Sequence, residues 1–196
     1  VIMPDLRGHG DSDKPHDPAR YPPDILADDG FALLAHLGLA DGEYDLAGYS
    51  LGGRTAVRML VQGARPRRAV LCGMGLQGIL DTRGRGGYFR HVLTNLGSFP
   101  RGSAEWLTEG FLKTTGGDAE ALLLILDTFV DTPEAALATI ACPVLVVTGS
   151  EDDDNGSGEA LAAAIPGARF QSVPGNHMSA VTKPELGRAI ADFLAA

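Results

Sequence analysis

The sequence predicts an α/β fold: a doubly wound, mostly parallel sheet covered by helices, with a helical insertion. Three observations favour this class. Short apolar runs alternate with helical patterns through most of the chain. The run at residues 143–148 is continuously apolar and β-branched, which is typical of a strand buried on both faces of a parallel sheet. The alternation stops between about residues 78 and 140, where no strand candidate occurs.

Five strands are expected, from short apolar runs and from the alternation of strands with helices. They comprise residues 1–3, 44–49, 69–73, 143–148 and 169–173. Residues 1–3 are interpreted as the last part of a buried strand, because they are all apolar and lead into a loop rich in glycine and aspartate.

The helices between these strands have recognisable ends. One helix is expected to run to about Leu37 and to end at Gly38, a residue type that favours helix termination. Another occupies residues 51–62, directly after the second strand. The last helix is expected to follow a capping box formed by Thr182 and Glu185.

The chain is long enough for one α/β core carrying one insertion. The core is expected at residues 1–77 and 141–196. The insertion, at residues 78–140, is expected to form a helical lid over the strand ends.

Composition restricts the partners. A formal net charge of −9 disfavours nucleic acid, because a polyanion would be repelled. No apolar run approaches the roughly 20 residues that a membrane-spanning helix needs, so no membrane partner is expected. A small-molecule substrate is therefore the expected partner. Cys72 and Cys142 fall at opposite ends of neighbouring strands, and two free thiols fit a cytoplasmic location.

Residues 48–53 read Gly-Tyr-Ser-Leu-Gly-Gly and lie between a predicted strand and a predicted helix. This pattern matches the G-x-S-x-G turn that exposes a nucleophilic serine at the end of a strand. Glycine at positions 48, 52 and 53 is expected to let the helix pack closely on the strand, while Ser50 takes a strained conformation. By itself, the motif is equally compatible with a structural turn.

Polar residues follow two further strands. The acidic run at residues 151–154 comes after the fourth strand, and His177 comes after the fifth. Because the carboxyl ends of parallel strands meet at one edge of a sheet, Ser50, an acid and His177 are expected to lie together. An imidazole is needed to take the serine proton, and a carboxylate to orient the imidazole.

Each of these features has a structural alternative. His177 could be an ordinary loop residue, and the acidic run could be a solvated loop or a weak cation site. The run lacks the alternating ligands and the distal glutamate of an EF-hand, so no metal is expected. The order serine, acid, histidine at three strand ends favours the catalytic interpretation.

Four segments together resemble the α/β-hydrolase fold superfamily. They are residues 4–12, 48–53, 144–152 and 175–177. The sequence is similar to the lid-bearing serine hydrolase branch, which includes esterases, carbon–carbon bond hydrolases and cofactor-free haloperoxidases. The resemblance implies Ser50 as nucleophile, Asp152 as the acid, His177 as the base, and no cofactor. A serine in the elbow disfavours the branches that use an aspartate nucleophile.

The resemblance also implies an oxyanion hole with the Leu51 amide as one donor. In the family, additional strands precede the equivalent of Val1, and a loop there supplies the second donor. That loop is absent from the sequence, so an N-terminally incomplete fold is expected. Loss of one donor typically costs on the order of 10² to 10³ in rate.

The expected function is hydrolysis of a small, largely apolar ester or related acyl substrate through an acyl-enzyme on Ser50. Two alternatives are a non-catalytic or degenerate ligand-binding homologue and a cofactor-free perhydrolase or haloperoxidase. The residues expected to contact the substrate are Tyr49, Met74, Trp106, Phe129 and Met178.

Overall fold

The computed structural model describes residues 1–196 and contains one four-stranded sheet. The strands are β1 (Asp45–Tyr49), β2 (Arg68–Cys72), β3 (Val144–Gly149) and β4 (Arg169–Val173). They lie in the order β1-β2-β3-β4, and all neighbours are parallel. The predicted α/β class is confirmed.

Helices separate the strands along the chain, as parallel pairing requires. They are α1 (Ile25–Leu37), α2 (Leu51–Val61), α3 (Leu76–Leu80), α4 (Arg83–Thr94), α5 (Ala104–Thr114), α6 (Ala119–Asp127), α7 (Glu134–Leu137), α8 (Gly158–Ala164) and α9 (Pro184–Ala195). Two short 3-10 helices occupy Pro18–Arg20 and Ala180–Thr182. None of the helices has the length and apolarity that crossing a bilayer requires.

The two central strands are buried on both faces, since successive side chains of a strand point to opposite sides. One core cluster joins alternate residues of β2 and β3, such as Leu71, to Val57 of α2 and to α8. A second cluster joins the remaining residues, such as Val70, to Phe193 of α9. Helices therefore cover both faces, which is the doubly wound arrangement that the sequence predicts.

The prediction of a strand at residues 1–3 is wrong. These residues form no regular structure, and all three side chains are exposed. A strand exists only when its backbone pairs with a neighbour. Residues 1–3 do not join the sheet, in which β1 is an edge strand.

The predicted capping box before the last helix is also wrong. Lys183 is the N-cap of α9, and no side chain caps the helix. The Thr182 hydroxyl instead donates to the Ser179 carbonyl at 2.7 Å, because Thr182 already belongs to a 3-10 helix. Pro184 is the first residue of α9, a position that suits proline, because the N–H that proline lacks would have no acceptor within the helix there. The predicted end of α1 is confirmed: Gly38, directly after it, has a φ of 67°.

The chain divides into two compact units. The sheet unit comprises Gly30–Thr82 and Asp131–Ala196, and the insertion unit comprises Val1–Asp29 and Arg83–Val130. These boundaries lie inside the expected insertion at residues 78–140, and they group the N-terminal residues with the inserted helices. A lid function for the inserted helices stays a prediction.

Within the insertion unit, the N-terminal segment contacts α1 and the residue that caps α6. The Arg7 guanidinium donates to both carboxylate oxygens of Asp29, at 2.9 and 2.7 Å. The His16 ring lies 2.8 Å from a carboxylate oxygen of Asp118, the residue that caps α6. Polar contacts thus hold this segment in a defined path.

Candidate active site

Ser50 occupies the tight turn between β1 and α2, as its motif predicts. Its backbone angles are φ 53° and ψ −112°, a conformation that side-chain-bearing residues rarely adopt. Two hydrogen bonds hold it there: the Ser50 N–H donates to the Cys72 carbonyl at 2.8 Å, and the Ser50 carbonyl accepts from the Arg54 N–H at 2.9 Å. Strain of this kind persists only where the surroundings enforce it, and it is typical of active sites.

Two of the three motif glycines are required by close packing. A Cβ at Gly48 would lie 2.2 Å from the backbone of Gly52, and a Cβ at Gly53 would lie 2.8 Å from the Met74 side chain. A Cβ at Gly52 would meet nothing within 4 Å. The steric prediction is therefore wrong for Gly52, whose carbonyl faces the strand while its α-carbon faces open space.

The side chains of Ser50, His177 and Asp152 lie in one hydrogen-bonded line within the sheet unit. His177 Nε2 is 2.9 Å from Ser50 Oγ, and His177 Nδ1 is 2.9 Å from Asp152 Oδ2. The carboxylate accepts hydrogen bonds only, so Nδ1 carries the proton and Nε2 is left to accept one from the serine hydroxyl. This arrangement can activate a serine for attack on a carbonyl.

The structure also distinguishes among the acidic residues that follow β3. The Asp152 side chain is 2% exposed and contacts the imidazole, whereas Asp153 and Asp154 are exposed. The Asp152 backbone N–H donates to the Gly149 carbonyl at 3.1 Å, which turns its side chain back toward the sheet. Of the acidic run, Asp152 is thus the residue that meets His177.

The loops carrying the acid and the imidazole are bonded to each other. The Ser150 N–H donates to the Val173 carbonyl at 2.7 Å, and the Glu151 N–H donates to the Gly175 carbonyl at 3.0 Å. A Cβ at Gly149 would lie 2.1 Å from the Gly175 carbonyl oxygen, so this close approach requires glycine. Backbone contacts therefore set the distance between the two side chains.

Two contacts in this network were not predicted from the sequence. The buried Asn155 side chain donates to the Gly73 carbonyl at 3.0 Å and so ties the acid loop to the loop after β2. Tyr49, expected to contact substrate, donates its hydroxyl to the His177 carbonyl at 2.6 Å. Neither contact has a local signal, because each joins residues far apart in the chain.

Burial raises the pKa of Tyr49 to about 12, and the neighbouring carboxylate of Asp152 contributes in the same direction. Burial likewise raises the pKa of the Cys72 thiol to about 12, which keeps the sulfur protonated and poorly nucleophilic. Cys72 ends β2 beside the elbow, and both cysteines are free thiols. Cys72 is therefore poorly suited to act as a nucleophile at this site.

Leu51 is the first residue of α2. Its N–H therefore has no acceptor within the helix, and the helix dipole favours negative charge at this end. These properties suit the predicted oxyanion role, which stays a prediction.

The other expected substrate contacts lie in different surroundings. Met74 is 1% exposed and packs in the core beside Gly53, whereas Met178 is 56% exposed in the loop that carries His177. Trp106 and Phe129 belong to the insertion unit, where the Arg101 guanidinium lies 5.9 Å from the Trp106 ring centre. Substrate contact by these residues stays a prediction.

Ligand atoms of Asp152, Asp154 and His177 lie within 4.8 Å of one another, so these are the side chains that could hold a metal ion. Both imidazole nitrogens, however, already make hydrogen bonds to Ser50 and Asp152. A metal ion would have to replace those bonds. The donor set fits proton transfer better than metal binding.

Two comparisons identify relatives of this arrangement. The sequence profile of the Alpha/beta hydrolase family matches residues 1–186. No curated protein matches the sequence. Several solved structures are similar over nearly the whole chain.

One is an enol-lactonase from Burkholderia xenovorans LB400, with 25% identity, a TM-score of 0.70, and coverage of 98% of this chain and 79% of that one. A hydrolase from Pseudomonas aeruginosa PA01 has 28% identity and a TM-score of 0.70, over 98% and 78% of the two chains. A thermophilic esterase from Thermogutta terrifontis, at 22% identity and a TM-score of 0.72 over 97% and 78%, shares the fold. The chain therefore belongs to the alpha/beta hydrolase family and is a hydrolase of that family.

Proposed function

We propose that the protein is a serine hydrolase that cleaves a small, largely apolar ester or related acyl substrate through an acyl-enzyme on Ser50. The observation that carries the proposal is the line of hydrogen bonds from Ser50 through His177 to Asp152, with both distances at 2.9 Å. The strained conformation of Ser50 supports it independently.

In this mechanism, Ser50 Oγ attacks the substrate carbonyl carbon while His177 Nε2 takes the hydroxyl proton. The Asp152 carboxylate stabilises the resulting imidazolium. The negative charge that develops on the carbonyl oxygen is stabilised by the Leu51 N–H at the start of α2. Breakdown of the tetrahedral intermediate transfers the proton from His177 to the leaving alcohol and leaves the acyl group on Ser50.

Hydrolysis of the acyl-enzyme repeats these steps with water as the nucleophile. His177 Nε2 takes a proton from water as the water oxygen attacks the acyl carbon. When the second tetrahedral intermediate breaks down, His177 returns that proton to Ser50 and the acid product leaves. The same side chains therefore serve both halves of the reaction.

Electrostatics favour a neutral acyl group. The carboxylate of Asp154 lies with that of Asp152 within 4.8 Å of the imidazole, and Glu151 and Asp153 are exposed in the same loop. A negatively charged acyl group would be repelled by these carboxylates. A lactone is a cyclic ester, so the relative named as an enol-lactonase is compatible with this substrate class.

The test is covalent labelling with a fluorophosphonate probe, followed by mass spectrometry of the labelled peptide. We expect one label on the wild-type protein, at Ser50, and no label on Ser50→Ala. Ser172→Ala, which removes an exposed serine of β4, serves as the matched control and should retain the label. Hydrolysis of p-nitrophenyl acetate should show the same dependence on Ser50.

Failure of the folded wild-type protein to react with the probe would refute the proposal. Stabilisation by a small ligand without any acyl-enzyme burst would favour the alternative of a ligand-binding homologue.

A further inference from the structure

We infer that Tyr49 is a positioning residue, whose hydroxyl holds the backbone of His177 and thereby keeps the base aligned with Ser50. The inference rests on the proposed function, because it concerns how the proposed base is held. It assigns Tyr49 a task different from the substrate contact expected from the sequence.

The geometry links the nucleophile and the base by two separate routes. Tyr49 directly precedes Ser50, and its hydroxyl donates to the His177 carbonyl at 2.6 Å. The second route is the 2.9 Å contact between Ser50 Oγ and His177 Nε2. The first contact holds the backbone of His177 and the second holds its side chain, so together they restrict both the position and the rotation of the imidazole.

The loop that carries His177 has hydrogen bonds of two other kinds. The Gly175 carbonyl accepts from the Glu151 N–H of the acid loop at 3.0 Å, and the Asn176 side chain accepts from the N–H groups of Met178 and Ser179, at 3.1 and 2.9 Å. These bonds shape the loop but do not reach β1. The Tyr49 hydroxyl joins the loop to β1, and Tyr49 and His177 are 128 positions apart in the sequence.

The structure leaves room for this contact at Gly73. A Cβ there would lie 2.8 Å from the Tyr49 ring and 3.2 Å from His177 Cε1. The two rings lie with their centres 5.4 Å apart and tilted by 47°. The Tyr49 ring also packs against the core cluster beneath α9, so the hydroxyl extends from a well-anchored ring.

The hydroxyl is suited to a constant donor role. Burial raises the pKa of Tyr49 to about 12, so the group keeps its proton at neutral and mildly alkaline pH. A phenol has one proton to donate. Because that proton is used on the His177 carbonyl, it is not available to a substrate at the same time.

The experiment compares Tyr49→Phe with a matched control, Tyr88→Phe. The substitution at Tyr49 removes one hydroxyl and keeps the ring. The Tyr88 hydroxyl makes a similar bond, 2.9 Å from Thr108 Oγ1, in the insertion unit. Both variants should lose comparable thermal stability, and only Tyr49→Phe should lose reactivity.

For Tyr49→Phe we expect a roughly three- to tenfold fall in kcat for p-nitrophenyl acetate and in the second-order rate of fluorophosphonate labelling, the range that one hydrogen bond supports. KM should stay within about twofold, because the lost contact acts on the base and not on the substrate. Labelling of Tyr49→Phe at the wild-type rate would overturn the inference, and so would a rise in KM with kcat unchanged.

A second readout does not depend on activity. The proton on His177 Nδ1, bonded to Asp152, should give a low-field NMR resonance that is lost in His177→Gln. In Tyr49→Phe we expect this resonance to broaden through faster exchange with water, and in Tyr88→Phe to stay unchanged. An unchanged resonance in Tyr49→Phe would contradict the inference. If the wild-type protein were not labelled at all, the proposed function would fail, while broadening in Tyr49→Phe would still support the positioning role.

Discussion

Replacing Gly48 by alanine tests whether the close packing of the elbow is what holds Ser50 in place. A Cβ at Gly48 would lie 2.2 Å from the backbone of Gly52, and ordinary contact begins at 3.4 Å. Strand β1 and helix α2 would have to separate by about 1 Å, since the clash is with backbone and no side chain can turn away. Overpacking of this kind typically costs about 1–3 kcal/mol in the free energy of unfolding.

For a chain of this length, such a loss corresponds to a fall in Tm of about 2–12 °C, measurable by differential scanning calorimetry. Ser50 would move with the start of α2 and away from His177. A misplacement of about 1 Å can reduce the rate on the order of 10²-fold, so labelling by a fluorophosphonate should fall by about that factor.

Gly52→Ala is the matched variant for stability, because a Cβ there would meet nothing within 4 Å. Alanine is favoured over glycine inside a helix by up to about 1 kcal/mol, so this variant should be as stable as the wild-type protein or more stable. Equal Tm values for Gly48→Ala and the wild-type protein would refute the steric reasoning.

Two further predictions follow from the carboxylates. Asp152→Asn should reduce the rate of Ser50 labelling by about 10³- to 10⁴-fold, because an amide can favour the wrong imidazole tautomer. The control variant, Asp153→Asn, should be labelled at the wild-type rate. Similar labelling rates for the two variants would contradict the assignment of Asp152 as the acid. A separate prediction concerns His16, whose pKa is raised by the carboxylates of Asp118 and Glu120. The contribution of His16 to stability is therefore complete below its unfolded-state pKa and is lost as pH rises through its folded-state pKa. His16→Gln should therefore lower Tm more at pH 5 than at pH 8, and a pH-independent difference would count against this.

Strand positions were predictable because the signal is local. The runs at residues 143–148 and 169–173 correspond to β3 (Val144–Gly149) and β4 (Arg169–Val173). Four of the five residues of β4 are exposed, so its prediction depended on the alternation of strands and helices. All of β3 is buried, and a strand buried on both faces is apolar almost throughout, so β3 stands out from its neighbours in the sequence. Residues 1–3 share this composition without forming a strand, because pairing depends on a partner that composition does not reveal.

The grouping of a serine, an acid and a histidine was also predictable, because parallel strands deliver their carboxyl ends to one edge. Which residue of the acidic run contacts the histidine was not predictable from the residues alone. Asp152, Asp153 and Asp154 are chemically identical, and only the fold of the loop after β3 brings Asp152 to the imidazole. The catalytic roles of these residues stay predictions until Ser50 is tested.

The sequence by itself determined the order of strands and helices and the turn that carries Ser50, because periodicity and turn chemistry are properties of neighbouring residues. Tertiary structure decided which contacts complete the site: Tyr49 on the His177 carbonyl, Asn155 on the Gly73 carbonyl, and tight packing at Gly48 but not at Gly52. Each of these contacts depends on the distance between backbone segments after packing, and that distance has no local signature in the sequence.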